Sequence, residues 1–576
     1  MTVSYVLNAV LTLLLALILY QYVNLKNQVN LTEDLDKERS MSSETTGKAN
    51  LPVQTSVFCH GDEMEGRICH FRNICFHGKE TQFMFFVGPE SVVGDADKLF
   101  SEDHHLSLSS VMDLNGLNMP ISHLPSDASS DFDIMWISEK SFVFSRFKPD
   151  NLMHVFHDDV LPLHSTLNFL MKGTLNSKLG YFPVQLIFMD NFDQHKFDTL
   201  YQTMSKYILI YKSNLTTSES KKITCFSDLY AGLFRSTIWY QYGYKVPQGP
   251  VQNLQVKSDW IRNTAHFIAR NMKCSNPYDI MDSEYLVLFS RKENRLILNE
   301  NELMVELMKN SNMKIWSVSL EDYSLFQLIL IVQKSKGLIG MHGSSLILSL
   351  FLPPNSILIE LFPYAVNPSN YTPFKTLCGI NHMGIVYRSW QNLDKEKSKG
   401  YPERDRMLGG LTHLNFELQK QIIDQSEVPL HLCCDDPSWL YHIYQDTTVD
   451  ISEVSKLCDE ALKEADLLKI KPPALNLIPS AVKNLECSVS DCVGDTTAIN
   501  LAWKTPLYLE YLSFEKFHYY VIVQEMETKK NVAYIVNREN YTISEDIFCD
   551  RSYNVWVRLI LDDTRQGSFQ HVMCVT

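Results

Sequence analysis

An α/β body whose second half holds a parallel sheet, closed by a β-sandwich and preceded by one membrane-spanning segment, is the fold class this sequence predicts. Three observations predict it. Strand-like and helix-like runs alternate regularly from residue 285 to 361, the signature of a parallel sheet of Rossmann type. After Pro479 the helices stop and short alternating strands take over. Residues 3–23 run almost without charge and are long enough to cross a bilayer. A chain of 576 residues exceeds one core, so two or three domains are expected.

The apolar N-terminal run is densest over residues 11–19, and no small-residue cleavage pattern follows it. It therefore reads as an uncleaved anchor over residues 5–24, with 1–4 cytoplasmic and a polar, charged stem over 25–56. The sequons at Asn30, Asn214, Asn370 and Asn540 point to a lumenal body, as do the thirteen cysteines. Asn214, Asn370 and Asn540 are the candidate glycosylation sites of that body. A net charge of -15 with no basic block excludes nucleic acid as a main partner.

The first unit is expected over residues 57–270. Cys59, Cys69 and Cys75 suggest one local disulfide and one longer connection. Strands are predicted at 82–87, 141–147, 184–189 and 207–211. A helix opens at Pro149-Asp150, where both residue types suit a first turn. At about 100° per residue, Met153, Phe156, Val160, Leu163 and Leu167 fall on one side of it. Asn151, His154 and Asp158 fall on the other, with His157 on the flank. Pro162 cannot donate to the carbonyl of Asp158, so a kink or stop is expected there. An amide, an imidazole and a carboxylate opposite an apolar face make a candidate site.

The second unit is expected over 271–473. Strands are predicted at 285–289, 314–318, 337–340 and 357–361, and Asn299 with Glu302 resembles a capping box. A parallel sheet binds ligands at the carboxyl ends of its strands, and three features fall there. Arg291 and Arg295 can grip a diphosphate. His342-Gly343-Ser344 offers close backbone approach and a helix N-terminus. Glu360 can accept bonds from sugar or ribose hydroxyls. Neither the glycine fingerprint for NAD nor a phosphate-loop lysine motif is present. Residues 392–410 read as a loop or a mobile crossing, 415–425 as a helix, and 456–473 as a linker.

The last unit is expected over 479–576, with strands at 499–503, 517–523, 533–536, 541–543 and 553–559. Trp503 suits the core and Tyr553 the tyrosine corner, so the pattern resembles a fibronectin type III module. Cys487, Cys492, Cys549 and Cys574 are available to staple it.

Several blocks carry a resemblance to a known family. They are Arg146…Asp150-Asn151-Leu-Met-His154-Val-Phe-His157-Asp158-Asp159, Tyr240-Gln-Tyr-Gly-Tyr244, Phe289-Ser-Arg291 with Asn294-Arg295, Met341-His342-Gly343, and Glu360-Leu-Phe-Pro. On these the chain resembles glycosyltransferase family 61 over essentially its whole length. The resemblance implies a GT-B fold, two Rossmann-like domains facing across a cleft, with acceptor on the first and nucleotide sugar on the second. It implies inverting β-1,4 transfer of GlcNAc from UDP-GlcNAc to O-linked mannose of a protein such as α-dystroglycan, in the endoplasmic reticulum membrane as a single-pass type II protein. No cofactor or metal is required by that scheme. The site helix then offers the base, His154 or Asp158, with the other orienting the acceptor or the base; the residues leave open which, and His157 is an outside candidate. Arg146, Asn151, Arg291, Arg295, His342, Gly343, Ser344 and Glu360 are expected on the donor. Asp131-Phe-Asp133 matches the Asp-x-Asp of metal-dependent transferases, a pattern short enough to arise by chance. Two other readings exist. One is an anchored sugar-binding or adhesion protein with a silent body, and the other a hydrolase with metal on His154, His157 and Asp159.

Overall fold

The computed structural model describes residues 52–61, 66–94, 106–111, 119–171, 180–243, 247–272, 284–432, 435–468, 479, 481–505, 516–563 and 565–576. The expected anchor and most of the stem, and the vicinal Cys433 and Cys434, lie outside the described residues. Among the described residues no helix is long and apolar enough to cross a membrane.

The first sheet has ten strands and is mixed. Its parallel part joins Lys222–Ala231, Ser141–Phe144, Gln185–Phe188 and Ile210–Tyr211. An antiparallel extension carries Ile68–His77 and Ser56–His60. The disulfides Cys59–Cys69 and Cys75–Cys225 tie that extension, the first local and the second bridging to the parallel part. The chain leaves Ser141–Phe144 at its carboxyl end and enters the helix that carries the candidate site.

The second sheet is all parallel, in the order Lys314–Val318, Tyr285–Phe289, Gly337–Met341, Ser356–Phe362, Ile385–Gln391. Its three central strands are buried on both faces because both are covered. Tyr285, Val287 and Phe289 face one core, while Leu286 and Leu288 face another. Winding reverses at Tyr285–Phe289, so the crevice outside that strand and Gly337–Met341 is the place for a ligand.

One continuous core serves both sheets: Phe144 and Leu186 of the first lie in the same cluster as Val287 and Leu358 of the second. The helix Ser258–Asn271 bridges them, burying Ile261, Ala265 and Ile268 there. Its Arg262 donates to the backbone carbonyls of Leu352 and Met383.

Three local expectations are corrected. Residues 456–473 do not begin a linker, since an eighteen-residue helix, Ile451–Leu468, covers the second sheet. Val454, Cys458, Ala461, Leu462 and Ala465 recur at helical spacing and are buried against it. Asn299 does not cap its helix with its side chain, because both ends of its amide bond the backbone of Val449. The segment at 392–410 is tied, not loose: Ser398–Lys399 pairs with Asp446–Thr447, and the Tyr401 hydroxyl donates to Asp446 at 2.6 Å.

The C-terminal unit is a sandwich of Lys483–Val489, Ile499–Lys504 and Asn540–Ile543 against a sheet centred on Phe517–Glu525 and Ser552–Leu561. Trp503, Tyr519 and Tyr553 lie in its core. The Phe548 backbone N–H donates to the Tyr553 hydroxyl at 2.9 Å, and the disulfides Cys487–Cys574 and Cys492–Cys549 close the unit.

Candidate active site

The site helix is built in three pieces: α-helical Leu152–His154, a π turn over Val155–Val160, and α-helical Leu161–Leu170. Asn151 caps it, its side-chain oxygen accepting from Met153 N–H at 3.0 Å. The helix neither ends nor breaks at Pro162, contrary to expectation. The π turn passes the Leu161 N–H back to the Phe156 carbonyl. The Asp158 carbonyl, which Pro162 cannot serve, accepts the Ser110 hydroxyl at 2.5 Å.

The π turn also gathers side chains. His154 Nδ1 lies 2.7 Å from Asp158 Oδ2, and His157 Nδ1 lies 2.6 Å from Asp158 Oδ1. The Trp239 backbone N–H donates to His157 Nε2 at 3.1 Å. That contact leaves the His157 proton on Nδ1, donated to Asp158. Tyr242 places its hydroxyl 2.9 Å from Asp158 Oδ2 and 2.9 Å from His157 Nδ1. Burial alone would raise the Asp158 carboxyl, but the bonds it accepts from the imidazoles of His157 and His154 hold it down to about 2. Burial pushes His154 below the ordinary imidazole value, against the pull of Asp158. Asp158 is 1% exposed and His154 11%. An imidazole that stays neutral with Nδ1 committed to a carboxylate leaves Nε2 as a basic nitrogen for a ligand proton.

Asp159 turns away into the core, where its Oδ2 accepts the Tyr201 hydroxyl at 2.7 Å and burial pushes its carboxyl well up. His154, His157 and Asp159 therefore do not converge on a metal, and among the described residues no group of three such side chains does.

Arg146 does not reach a donor. It is fully buried and its guanidinium is taken by Asp190 at 2.8 Å, by Asp198 at 2.9 Å and by the carbonyls of Phe192 and Asp193. It pins the 190–198 segment beneath the site helix. Replacing Arg146 with Met would leave two buried carboxylates unpaired, and a loss of about 3–5 kcal/mol in urea unfolding is expected. An unfolding midpoint unchanged from the parent would refute this structural role.

The second cluster sits at the carboxyl ends of Tyr285–Phe289 and Gly337–Met341. Among the described residues neither Arg291 nor Arg295 has a carboxylate partner; they share the Asn294 side-chain oxygen at 3.3 and 3.4 Å, and Arg295 donates to the His342 carbonyl at 2.8 Å. Burial, and for Arg295 also the charge of Arg291, pushes both guanidiniums down, Arg295 to about 9. Two half-buried cations without an ion-pair partner among the described residues, only Arg291 feeling a nearby carboxylate in Glu321, make an anion site. A Cβ on Gly343 would stand 2.8 Å from Arg295 Nη1 and 2.9 Å from Arg291 Nη2, so glycine is what lets both press against the turn. Ser344 opens a 3₁₀ helix, Ser344–Phe351. An open pocket beside Arg291 is lined by Ser290, Asn294 and Ser345 and carries Lys292, Glu293 and Glu321 as further charged members.

Glu360 cannot accept from a sugar. It is fully buried, and its oxygens are held by His342 Nδ1 at 2.6 Å and the Tyr387 hydroxyl at 2.7 Å. It orients His342, whose side chain is 12% exposed and stacks on Phe362. Tyr242, Trp239 and Tyr387 were not singled out by sequence reasoning. The only signal was that Tyr240 to Tyr244 recur as a block, without a role attached. Trp239 also joins the two clusters, its indole N–H donating to the Pro373 carbonyl at 2.9 Å, next to Phe374 against His342. Asn214 and Asn540 are exposed, whereas Asn370 is half-buried with its amide on Glu427.

A family model described as Glycosyltransferase 61 matches residues 152–359, which begin at the site helix and end beside Glu360. Curated relatives agree along the full chain. The protein O-linked-mannose beta-1,4-N-acetylglucosaminyltransferase 2 of Mus musculus is 34% identical over 585 residues, covering 100% of this chain and 99% of its own. That of Homo sapiens is 34% identical over 588 residues with the same coverage. That of Takifugu rubripes is 34% identical over 601 residues, covering 100% of both.

Proposed function

This chain belongs to the glycosyltransferase 61 family and is a glycosyltransferase, and from that premise we propose that it transfers GlcNAc from UDP-GlcNAc in β-1,4 linkage to mannose on Ser or Thr of a protein, such as α-dystroglycan. The two sheets act as a GT-B pair, with the acceptor against the site helix and the nucleotide sugar at Arg291, Arg295 and His342 to Ser344. His154 is the base. Its Nε2 takes the proton of the mannose 4-hydroxyl as that oxygen attacks the anomeric carbon from the face opposite UDP. The bond from that carbon to the diphosphate breaks, and the electron pair leaves with UDP, whose charge meets the two guanidiniums and the Ser344 amide end. Displacement from the opposite face turns the α-linked donor into a β-linked product. The arginine pair supplies the positive charge, so the reading requires no metal.

The observation that carries this reading is the His154–Asp158 pair at 2.7 Å, a neutral imidazole aimed by a buried carboxylate. The names of the relatives support the sugar and linkage. An N-terminal anchor and a lumenal body in the endoplasmic reticulum are proposed from the apolar run at 5–24 and the four disulfides. The sandwich is proposed as a fibronectin type III module from its Trp503 core and the Tyr553 corner. Incubation with UDP-GlcNAc and an O-mannosyl peptide is expected to add one HexNAc by mass spectrometry, β-1,4-linked by NMR. No addition to either a peptide or a protein acceptor would overturn the proposal.

A further inference from the structure

We infer that Tyr242 is a positioning residue for the base: its hydroxyl holds Asp158 so that Asp158 can aim His154. The inference rests on the reading of His154 as base, and it comes from counting the donors on one buried carboxylate. Asp158 Oδ1 accepts from His157 Nδ1, while Oδ2 lies 2.7 Å from His154 Nδ1 and 2.9 Å from the Tyr242 hydroxyl. With the His157 proton fixed on Nδ1 by Trp239, the Tyr242 hydroxyl has Asp158 Oδ2 as its acceptor. Burial and the adjacent Asp158 push the phenol well above its ordinary value, so it stays a donor across the working range. Its ring packs edge-on to His154 with centroids 4.6 Å apart and stacks on Phe147, so the two aromatic rings flank the imidazole together.

The place of Tyr242 is set from outside the site helix. The segment around it is clamped by Trp239, whose backbone N–H holds His157 and whose indole N–H reaches Pro373. The Thr372 N–H points at the Tyr240 hydroxyl at 3.4 Å. Tyr242 therefore brings a fixed hydroxyl to Asp158 from an element braced against the half that carries His342.

A hydroxyl donating to Oδ2 spreads the charge of Asp158. Without it, that charge acts undiminished on His154 and favours the imidazolium. The other groups facing His154 are Lys148 and His157, and those facing Tyr242 are Tyr240, Asp158 and Asp159; Tyr242→Phe leaves all of them in place. The expected result for Tyr242→Phe is a fall in kcat of about 10- to 100-fold, the worth of one hydrogen bond to a charged group. KM for UDP-GlcNAc should stay within twofold (roughly the scatter between independent sites), and the acid limb of kcat/KM should move to higher pH. Incorporating 3-fluorotyrosine at position 242 makes a stronger donor of the same shape, and should move the limb to lower pH. A limb that stays put in both variants, or a loss matched by a fall in melting temperature with no pH effect, overturns the positioning role. Parent protein without transferase activity would instead overturn the functional reading on which it rests.

Discussion

Replacing Asp158 with Asn is expected to lower kcat about 10³- to 10⁴-fold, the order observed when a base loses the carboxylate that fixes its tautomer. An amide has one acceptor oxygen where the carboxylate offers two, so it cannot serve His154 Nδ1 and His157 Nδ1 together. Its N–H₂ would face one imidazole nitrogen and drive that ring's proton to Nε2. On His154 this places a hydrogen where the acceptor hydroxyl must deliver its own. His154→Ala removes the base outright and should cost about 10²- to 10⁴-fold. Because the two act as one unit, the double variant should be little worse than the more damaged single variant. UDP affinity should be unchanged in all three. The sign with pH follows from the same geometry. His154 is pushed below its ordinary value and works as the neutral form, so kcat/KM should rise with pH to a plateau reached at lower pH than an unperturbed imidazole would allow. Asp158, held at about 2, stays ionised throughout and adds no limb of its own in that range. Retention of more than a tenth of parental activity by His154→Ala would remove His154 from the role of base.

What the sequence made legible follows from how each signal arises. Four of the five strands of the second sheet were readable: central ones such as Tyr285–Phe289 are buried on both faces and appear as uninterrupted apolar runs, whereas the edge strand Ile385–Gln391, interrupted by Arg388 and Ser389, was missed. The site helix was readable from its apolar spacing, and His154 and Asp158 with it. The helix Ile451–Leu468 was not, because its exposed Lys and Glu dominate the composition while its buried stripe includes only small or mid-sized side chains such as Ala461 and Ala465. Charged residues misled for a different reason. Arg146 and Glu360 belong to motifs of the right kind, but a sequence does not say whether a charge meets a ligand or a buried partner. Here Asp190 and Asp198 take the first, and His342 and Tyr387 the second. The contacts made by Tyr242 lie beyond local pattern altogether, since the chain separation to His157 is 85 residues. Tertiary structure alone brings that hydroxyl to the carboxylate.

Removing the guanidiniums should act on stability and on catalysis in opposite directions. Arg291 and Arg295 are disfavoured as cations by burial, Arg295 also by the charge of Arg291, and the only carboxylate that offsets this is Glu321, which acts on Arg291 without forming an ion pair among the described residues. A folded protein that keeps such a pair carries a cost that only an anion relieves. Arg295→Ala should therefore melt at the same temperature as the parent or higher without ligand, and lose the shift that UDP gives the parent. Transfer should fall about 10²- to 10³-fold for each arginine removed, as expected for a donor aimed at developing charge. The loss should appear in kcat as well as in KM, because the negative charge on the diphosphate grows as UDP departs. Lysine at either position keeps the charge but not the planar fork, so it should restore UDP binding better than it restores kcat. Gly343→Ala tests the same cluster without touching a charge: its methyl group stands within 2.9 Å of both guanidiniums and must displace them. It should weaken UDP binding while leaving the pH profile set by His154 unmoved. Were Arg295→Ala to bind UDP as the parent does, the diphosphate would have to lie elsewhere on the sheet edge, and the donor side of the proposed mechanism would fall with it.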